Sequence, residues 1–252
     1  MQIRFDDRVV IVTGAAQGIG RAIAECFIAA GASVHLADRD ADGIARTAAE
    51  LGAVAGHAVD LSDRASAHSL VADVERAHGR LDIVATAAGG VCGQVGRPIE
   101  EIDESDWRAL FSANLDSAFW LAQAAAPLMK KTGGGRIITI ASGAGLRPSL
   151  TGIQGYTAAK HALVGLTRQL SWELGPHGIT VNSVAPGFVL SNPTTQRQWE
   201  ALGSAGQERL TDSIHTKRLG TPQDIAAAVA FFASEQAAWI SGQVLSVDGG
   251  RS

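Results

Sequence analysis

Val9-Val10-Ile11-Val12-Thr13-Gly14-Ala15-Ala16-Gln17-Gly18-Ile19-Gly20 is the stretch that decides the fold of this 252-residue chain. Its first five residues are β-branched without polar alternation, the pattern of a strand buried on both faces of a parallel sheet. The glycines that follow stand where such a strand would pass into a helix. They let the backbone turn tightly and approach a pyrophosphate, which the free N–H groups and dipole of a helix N-terminus attract. Gly20 would also allow close packing of helix on sheet. The spacing departs from the common Gly-x-Gly-x-x-Gly fingerprint, so the stretch taken alone also fits an ordinary strand-to-helix turn.

Outward from it the same alternation repeats. Nearly apolar runs at residues 9–13, 33–38, 56–59, 82–85, 136–140, 179–185 and 244–247 read as strands, and helical patterns occupy 19–30, 42–51, 62–78, 104–131, 153–174 and 221–233. Strand and helix alternating from end to end predict an α/β fold: a single doubly wound Rossmann-type domain over residues 1–252, with a mostly or wholly parallel seven-stranded sheet. The longest irregular stretch, 188–217, contains Pro193, Gly203 and Gly206, and is expected to be a substrate-binding loop that closes as a mobile lid.

Composition narrows the class. A chain of this length buries about 70% of its unfolded surface, and 46% hydrophobic with 18% charged residues excludes disorder and coiled coil. The 21 Lys and Arg are scattered among 25 Asp and Glu, leaving a net charge of −4 and no electrostatic footprint for nucleic acid. Cys26 and Cys92 lack any surrounding motif and read as reduced thiols. Residues 1–8 lack the apolar core of a signal peptide, and 225–233 is too short to span a bilayer. A soluble, cytoplasmic protein without membrane partners is the expectation. His35, His57, His68, His78, His161, His177 and His215 show no ligand spacing, so no metal is expected and these residues are read as surface or cap positions.

Some residues suggest chemistry. Asp38 ends the second strand, where a carboxylate accepts hydrogen bonds from adenosine ribose hydroxyls and repels a 2′-phosphate. At about 4 Å and an effective dielectric near 20 that repulsion is about 4 kcal/mol per unit charge, which favours NAD over NADP. Arg39 argues the other way, since a guanidinium there can bind that phosphate. Tyr156 and Lys160 stand four apart in a helical pattern and share a face. A neighbouring ammonium favours a phenolate, although most such pairs merely decorate a surface. Ser142 follows the strand ending at Ile140 and faces the crevice where ligands bind in open α/β sheets. Asn114 interrupts a helical pattern, where it is a poor helix former, which suggests a side-chain task.

Thr13 to Gly20, Asp60, Asn114, Ser142, Tyr156 with Lys160, Asn182, and Pro186-Gly187 stand in the order and approximate spacing of the short-chain dehydrogenase/reductase family. The closing Ile240-Ser241-Gly242-Gln243-Val244 and Val247-Asp248-Gly249-Gly250 also resemble that family, so the likeness covers essentially the whole chain. It implies a nicotinamide-dependent oxidoreductase acting on CH–OH groups. By that resemblance Tyr156 would be the general acid/base at the substrate oxygen, and Lys160 would lower its pKa and hold the nicotinamide ribose. Ser142 would orient the same oxygen, and Asn114 would anchor a water joining Lys160 to solvent. Gly14, Gln17, Gly18, Ile19 and Gly20 would wrap the pyrophosphate, Asp38 the adenosine ribose, and Asp60 with Leu61 the adenine edge. Gly89 would pass beneath a ribose, while Pro186, Gly187, Val189 and Ser191 would line the nicotinamide.

The chain departs from the family's pattern at Thr86-Ala87-Ala88-Gly89, where Asn-Asn-Ala-Gly is usual, at Ser191 in place of Thr, and at Ala141 in place of a second Ser. The substrate pocket is expected to involve Ser142, Gly143, Ala144, Arg147, Gln154, Tyr156 and Phe188, with Asn192, Thr194, Gln196, Arg197 and Trp199 from the loop beyond. These polar groups suit a small hydroxylated, sugar-like or hydroxy-acid substrate handled with NAD. An NADPH-dependent 3-oxoacyl-thioester reductase is the enzyme alternative, and a non-catalytic NAD sensor or scaffold the alternative of another class. Leu110, Phe111, Phe119, Trp120, Leu163, Leu166 and Leu170 make two helices apolar on more than one side, which with the resemblance predicts a homotetramer.

Overall fold

The computed structural model describes residues 3–250, so positions 1, 2, 251 and 252 of the expected domain span lie outside the described residues. Seven strands form one sheet: β1 (Val9–Thr13), β2 (Ser33–Asp38), β3 (Ala55–Ala58), β4 (Ile83–Thr86), β5 (Gly135–Ile140), β6 (Ile179–Pro186) and β7 (Val244–Val247). Their order is β3-β2-β1-β4-β5-β6-β7, and every pairing is parallel. β3, β4 and β5 each begin one residue away from the start read in the sequence.

A parallel sheet must be covered on both faces, and alternate residues of β1 show how. Val10 and Val12 pack with Ile23 and Phe27 of α1 (Gly18–Ala29), Ile44 of α2 (Ala41–Leu51) and Ile225 and Val229 of α9 (Pro222–Ala233). Val9 and Ile11 join the opposite core, with Val74 of α3 (Arg64–His78), Leu121 and Met129 of α5 (Ser117–Thr132) and Leu174 of α6 (Gln154–Leu174). Side-chain caps start several of these helices: Asp40 accepts from Gly43 N, Asp63 from Ser66 N, and Thr221 exchanges bonds with Asp224 in a capping box.

Two expectations need correction. The helical pattern over 104–131 is not uniform: α4 (Glu104–Phe111) passes through a wide π turn, Ser112–Asp116, before α5 continues. Such a turn inserts a residue and re-aims side chains, and Asn114 lies inside it. The stretch 188–217 is not irregular either. It holds α7 (Pro193–Ala201) and α8 (Gly203–Asp212). Pro193 opens a helix here, because a helix N-terminus does not need its missing N–H, and Asn192 with Thr195 completes a capping box. Leu202 separates the two helices, Gly203 opens α8 at φ +60°, and Gly206 is buried within it.

Candidate active site

The chain crosses from one side of β1 to the other between β3 and β4, so the carboxyl ends of β1 and β4 diverge into a crevice. A cleft of about 840 Å³ runs along these strand ends. At one end lie Gly14, Gln17, Gly18, Ile19 and Gly20, followed by Asp38, Asp60 and Leu61; Gly89, Ser142, Ala144, Tyr156, Lys160, Pro186, Gly187, Phe188, Val189 and Ser191 complete it.

The first turn is built for close approach. Gly14 has φ +64°, and a Cβ there would sit 2.7 Å from the Ala87 carbonyl oxygen, while one on Gly20 would run into the Gly14 carbonyl. Bare backbone at the start of α1 is a cradle for a pyrophosphate. Asp38 is oriented by two backbone amides, Ala16 N onto Oδ2 at 3.1 Å and Asp40 N onto Oδ1 at 3.0 Å. Farther along, Ser62 donates to Asp60 through its hydroxyl at 2.7 Å and its amide at 2.9 Å, holding that carboxyl below its ordinary pKa, with Arg39 a lesser contributor. This donor and acceptor set fits a dinucleotide: backbone N–H groups for phosphates and carboxylates for ribose and adenine.

Beyond the crevice, Asn114 clamps the loop after β4. Its Oδ1 accepts from Gly90 N at 2.8 Å, and its Nδ2 donates to Gly90 O and Leu110 O, both at 2.8 Å. Gly89 passes so close that a Cβ would meet Asn114 Oδ1 at 2.6 Å, and its φ of +134° suits glycine alone. The Asn114 side-chain amide is thus committed to the backbone of the loop and of α4. Thr86, at the departure from the usual sequence, leaves its buried hydroxyl among the side-chain groups without a hydrogen-bond partner.

Ser142 extends from the end of β5, and its Oγ accepts from Ala144 N at 3.1 Å, starting the 3₁₀ turn Gly143–Gly145. Tyr156 and Lys160, one turn apart on α6, line the cleft together. Lys160 is buried, donates from Nζ to Ile140 O at 2.8 Å, and has its pKa lowered to about 8 by that burial. Burial also raises the Tyr156 phenol, and a hydrogen bond from the Ser142 hydroxyl partly offsets the rise.

Residues 14–252 match the family described as enoyl-(acyl carrier protein) reductase. The 3-oxoacyl-[acyl-carrier-protein] reductase of Salmonella typhimurium is 36% identical over 247 residues, 98% of each chain. The chain belongs to the short-chain dehydrogenase/reductase family. A short-chain type dehydrogenase/reductase from Mycobacterium ulcerans superposes with a TM-score of 0.91 at 30% identity, covering 98% of this chain and 90% of that one. A 7α-hydroxysteroid dehydrogenase solved with NADH and 7-oxo glycochenodeoxycholic acid gives 0.90 at 34% identity, covering 99% and 96%. Like other short-chain dehydrogenases/reductases, this protein is an NAD(P)-dependent oxidoreductase acting on CH–OH groups of small molecules.

Some expected residues stand outside the cleft lining. Gln154 donates its amide to Arg97 O at 2.8 Å, and Gln196 bonds Glu200 along α7. Trp199 packs behind Phe188, ring centroids 6.1 Å apart. Arg197 is also outside the lining, whereas Asn192 and Thr194 line the cleft, and Thr195, Gln198 and Cys92, held at φ +52°, line it with them. Within α7 successive residues are turned by about 100°, so Gln198 faces the cleft while Trp199 does not. The histidines hold another surprise: His35 is buried on β2, with Nδ1 3.0 Å from His57 Nε2 and Nε2 2.8 Å from His78 Nε2. His35 is thus a core residue and not a surface or cap position, whereas His57 is half-buried on β3 and His78 is half-buried as the last residue of α3. They join β2, β3 and the end of α3. Among the described residues no helix is long and apolar enough to cross a membrane.

Proposed function

We propose that this short-chain dehydrogenase/reductase is an NAD-dependent oxidoreductase that interconverts secondary alcohols and ketones of small hydroxylated, sugar-like or hydroxy-acid compounds. The observation that carries the reading is the meeting of Ser142, Tyr156 and Lys160 beside Pro186 at one end of a cleft whose other end holds Asp38. The nicotinamide supplies the hydride chemistry. Tyr156 takes the hydroxyl proton of the substrate during oxidation and returns it during reduction. Ser142 donates to the same oxygen and fixes its direction. Lys160, charged below its lowered pKa, favours the phenolate and holds the ribose. The Asn114 side-chain amide keeps the Gly89-Gly90 loop beneath that ribose, and a water on its main-chain carbonyl, in the π turn, links Lys160 to solvent.

Gly14, Gln17, Gly18, Ile19 and Gly20 hold the pyrophosphate, Asp38 the adenosine ribose, and Asp60 with Leu61 the adenine. Gly89, Pro186, Gly187, Val189 and Ser191 hold the nicotinamide half. Ala144, Arg147 and Phe188 contact the substrate, and Gln154, Gln196 and Trp199 shape its surroundings. One catalytic domain over residues 1–252 performs the reaction, with α7 and α8 as its flap. Four copies assemble. Support comes from Trp239, fully exposed, and from Trp172 and Leu245 on the side of the sheet ended by β7, apolar groups a partner subunit would cover. The 36% likeness to a 3-oxoacyl-thioester reductase, with Arg39 next to Asp38, favours NADPH-linked reduction of such thioesters as the second reading.

The test is a panel of secondary alcohols, aldoses and hydroxy acids with NAD, followed by NADH absorbance, against 3-oxoacyl thioesters with NADPH. Turnover confined to the thioesters would replace the first reading with the second.

A further inference from the structure

Charge is distributed unevenly along the cleft. The acidic residues that line it are Asp38, the last residue of β2, and Asp60, just past β3, both at the adenosine end, where Arg39 is the one cationic lining residue. At the other end the charged lining residues are Arg147 and Lys160. Lys160 is buried with its ammonium on the Ile140 carbonyl, whereas the Arg147 side chain is 34% exposed.

Arg147 is oriented from behind. Its Nη2 lies 3.0 Å from Asp248 Oδ2, and the Asp248 side chain is only 9% exposed. The other carboxylate oxygen accepts from Gly250 N at 3.1 Å. The pair therefore turns its negative member into the protein and its positive member toward the cleft. The guanidinium runs alongside Gly143, where a Cβ would sit 3.8 Å from Nη2 and 3.9 Å from Nε. Gly143 directly follows Ser142, and Arg147 and Ser142 line the same cleft. A guanidinium already fixed by a carboxylate loses little freedom on binding, and its fork matches the oxygens of a carboxylate or phosphate.

The geometry points to a substrate that carries an oxyanion, carboxylate or phosphate, near its reacting alcohol or ketone, with Arg147 as the residue that selects it. This inference rests on the secondary-alcohol reading above and narrows its substrate class.

Matched pairs test it: short hydroxycarboxylates against their amides, and polyol phosphates against the free polyols, each with NAD. The charged member is expected to have a kcat/KM about tenfold or more above its neutral partner, the scale of hydrogen bonds to a charged group, and the two series tell which oxyanion is taken. In Arg147→Met the KM of the charged member rises about 10- to 100-fold, and that of the neutral partner changes far less. Asp248→Asn removes the support and keeps the cation, so the preference survives. Equal use of charged and neutral members by the unaltered protein, or equal damage to all substrates in both variants, makes Arg147 a strut and overturns the inference. If no alcohol is oxidised, the activity reading fails by itself. Calorimetry of the NAD-loaded protein with malonate and with inorganic phosphate, at constant ionic strength, then decides separately: binding lost in Arg147→Met sustains the oxyanion site, and binding absent or equal in both proteins overturns it.

Discussion

Lys160 Nζ stands 5.8 Å from the centre of the Tyr156 ring and hydrogen-bonds Ile140 O at 2.8 Å, so the strand that delivers Ser142 also fixes the ammonium below the phenol. Burial raises the Tyr156 pKa and lowers that of Lys160 to about 8, so the charged forms of both are held at a cost. Tyr156→Phe is expected to lower kcat by about 10² to 10⁴, the scale of a positioned acid/base, with NAD affinity almost unchanged. In the oxidative direction the rate rises with pH as the phenol loses its proton, and Lys160→Ala moves that rise to higher pH. Initial rates across pH check both, and a Tyr156→Phe enzyme that keeps most of its activity removes the assignment.

Asp38 is the basis of a prediction on cofactor choice. Its carboxylate is aimed by Ala16 N and Asp40 N, so it cannot swing away without giving up both bonds. NAD is expected to exceed NADP at least tenfold in kcat/KM, about 1.4 kcal/mol. Steady-state kinetics with both cofactors measure this ratio. Equal or better use of NADP would mean that Arg39 governs the site.

The flap formed by α7 and α8 touches the cleft through Asn192, Thr194, Thr195 and Gln198, while Trp199 supports Phe188 from behind. Amides of α7 and α8 should gain hydrogen-exchange protection when NAD and substrate are both bound. Gln198→Ala should change relative kcat/KM among substrates directly, and Trp199→Ala through Phe188. Equal protection with and without ligands, together with unchanged selectivity, would show a fixed wall.

The His57–His35–His78 row predicts a stability profile. Burial, then repulsion from His57 and His78, lowers the His35 pKa from 6.5 to about 4, with Asp73 opposing, and burial lowers His57 as well. The unfolded chain therefore binds more protons between these values. Stability is complete above pH 6.5 and declines as pH falls toward about 4, by a few kcal/mol at most. Denaturant unfolding from pH 7 to 4 should show the decline, and His35→Leu should flatten it. An unchanged slope in that variant would assign the acid sensitivity elsewhere.

Trp172, Trp239 and Leu245 predict assembly. Light scattering at micromolar concentration is expected to give the mass of four chains, and Trp239→Ser should shift the population toward smaller species. A monomeric mass for the unaltered protein overturns the homotetramer.

Much of this protein is legible in the order of its residues. A buried parallel strand must be apolar on both faces, so β1, β5 and β6 stand out as β-branched runs, and the glycine turn after β1 follows from the backbone freedom a close approach demands. The spacing of Tyr156 and Lys160 is local, since one helical turn brings them together. The family's motifs at Asn114, Ser142 and Pro186-Gly187 are legible for a related reason, because each is a strand end or helix turn with its own residue type. Only tertiary structure decided the rest. Whether Asn114 turns inward depends on a π turn and on Gly90, distant in sequence. Pro193 reads equally as a breaker or a first helical residue until Asn192 and Thr195 are seen to cap α7. His35, His57 and His78 belong to three separate elements, and the pairing of Arg147 with Asp248 spans 101 positions. Such contacts are set by strand order and packing across the sheet, and no local pattern of polarity records which distant side chain lies opposite.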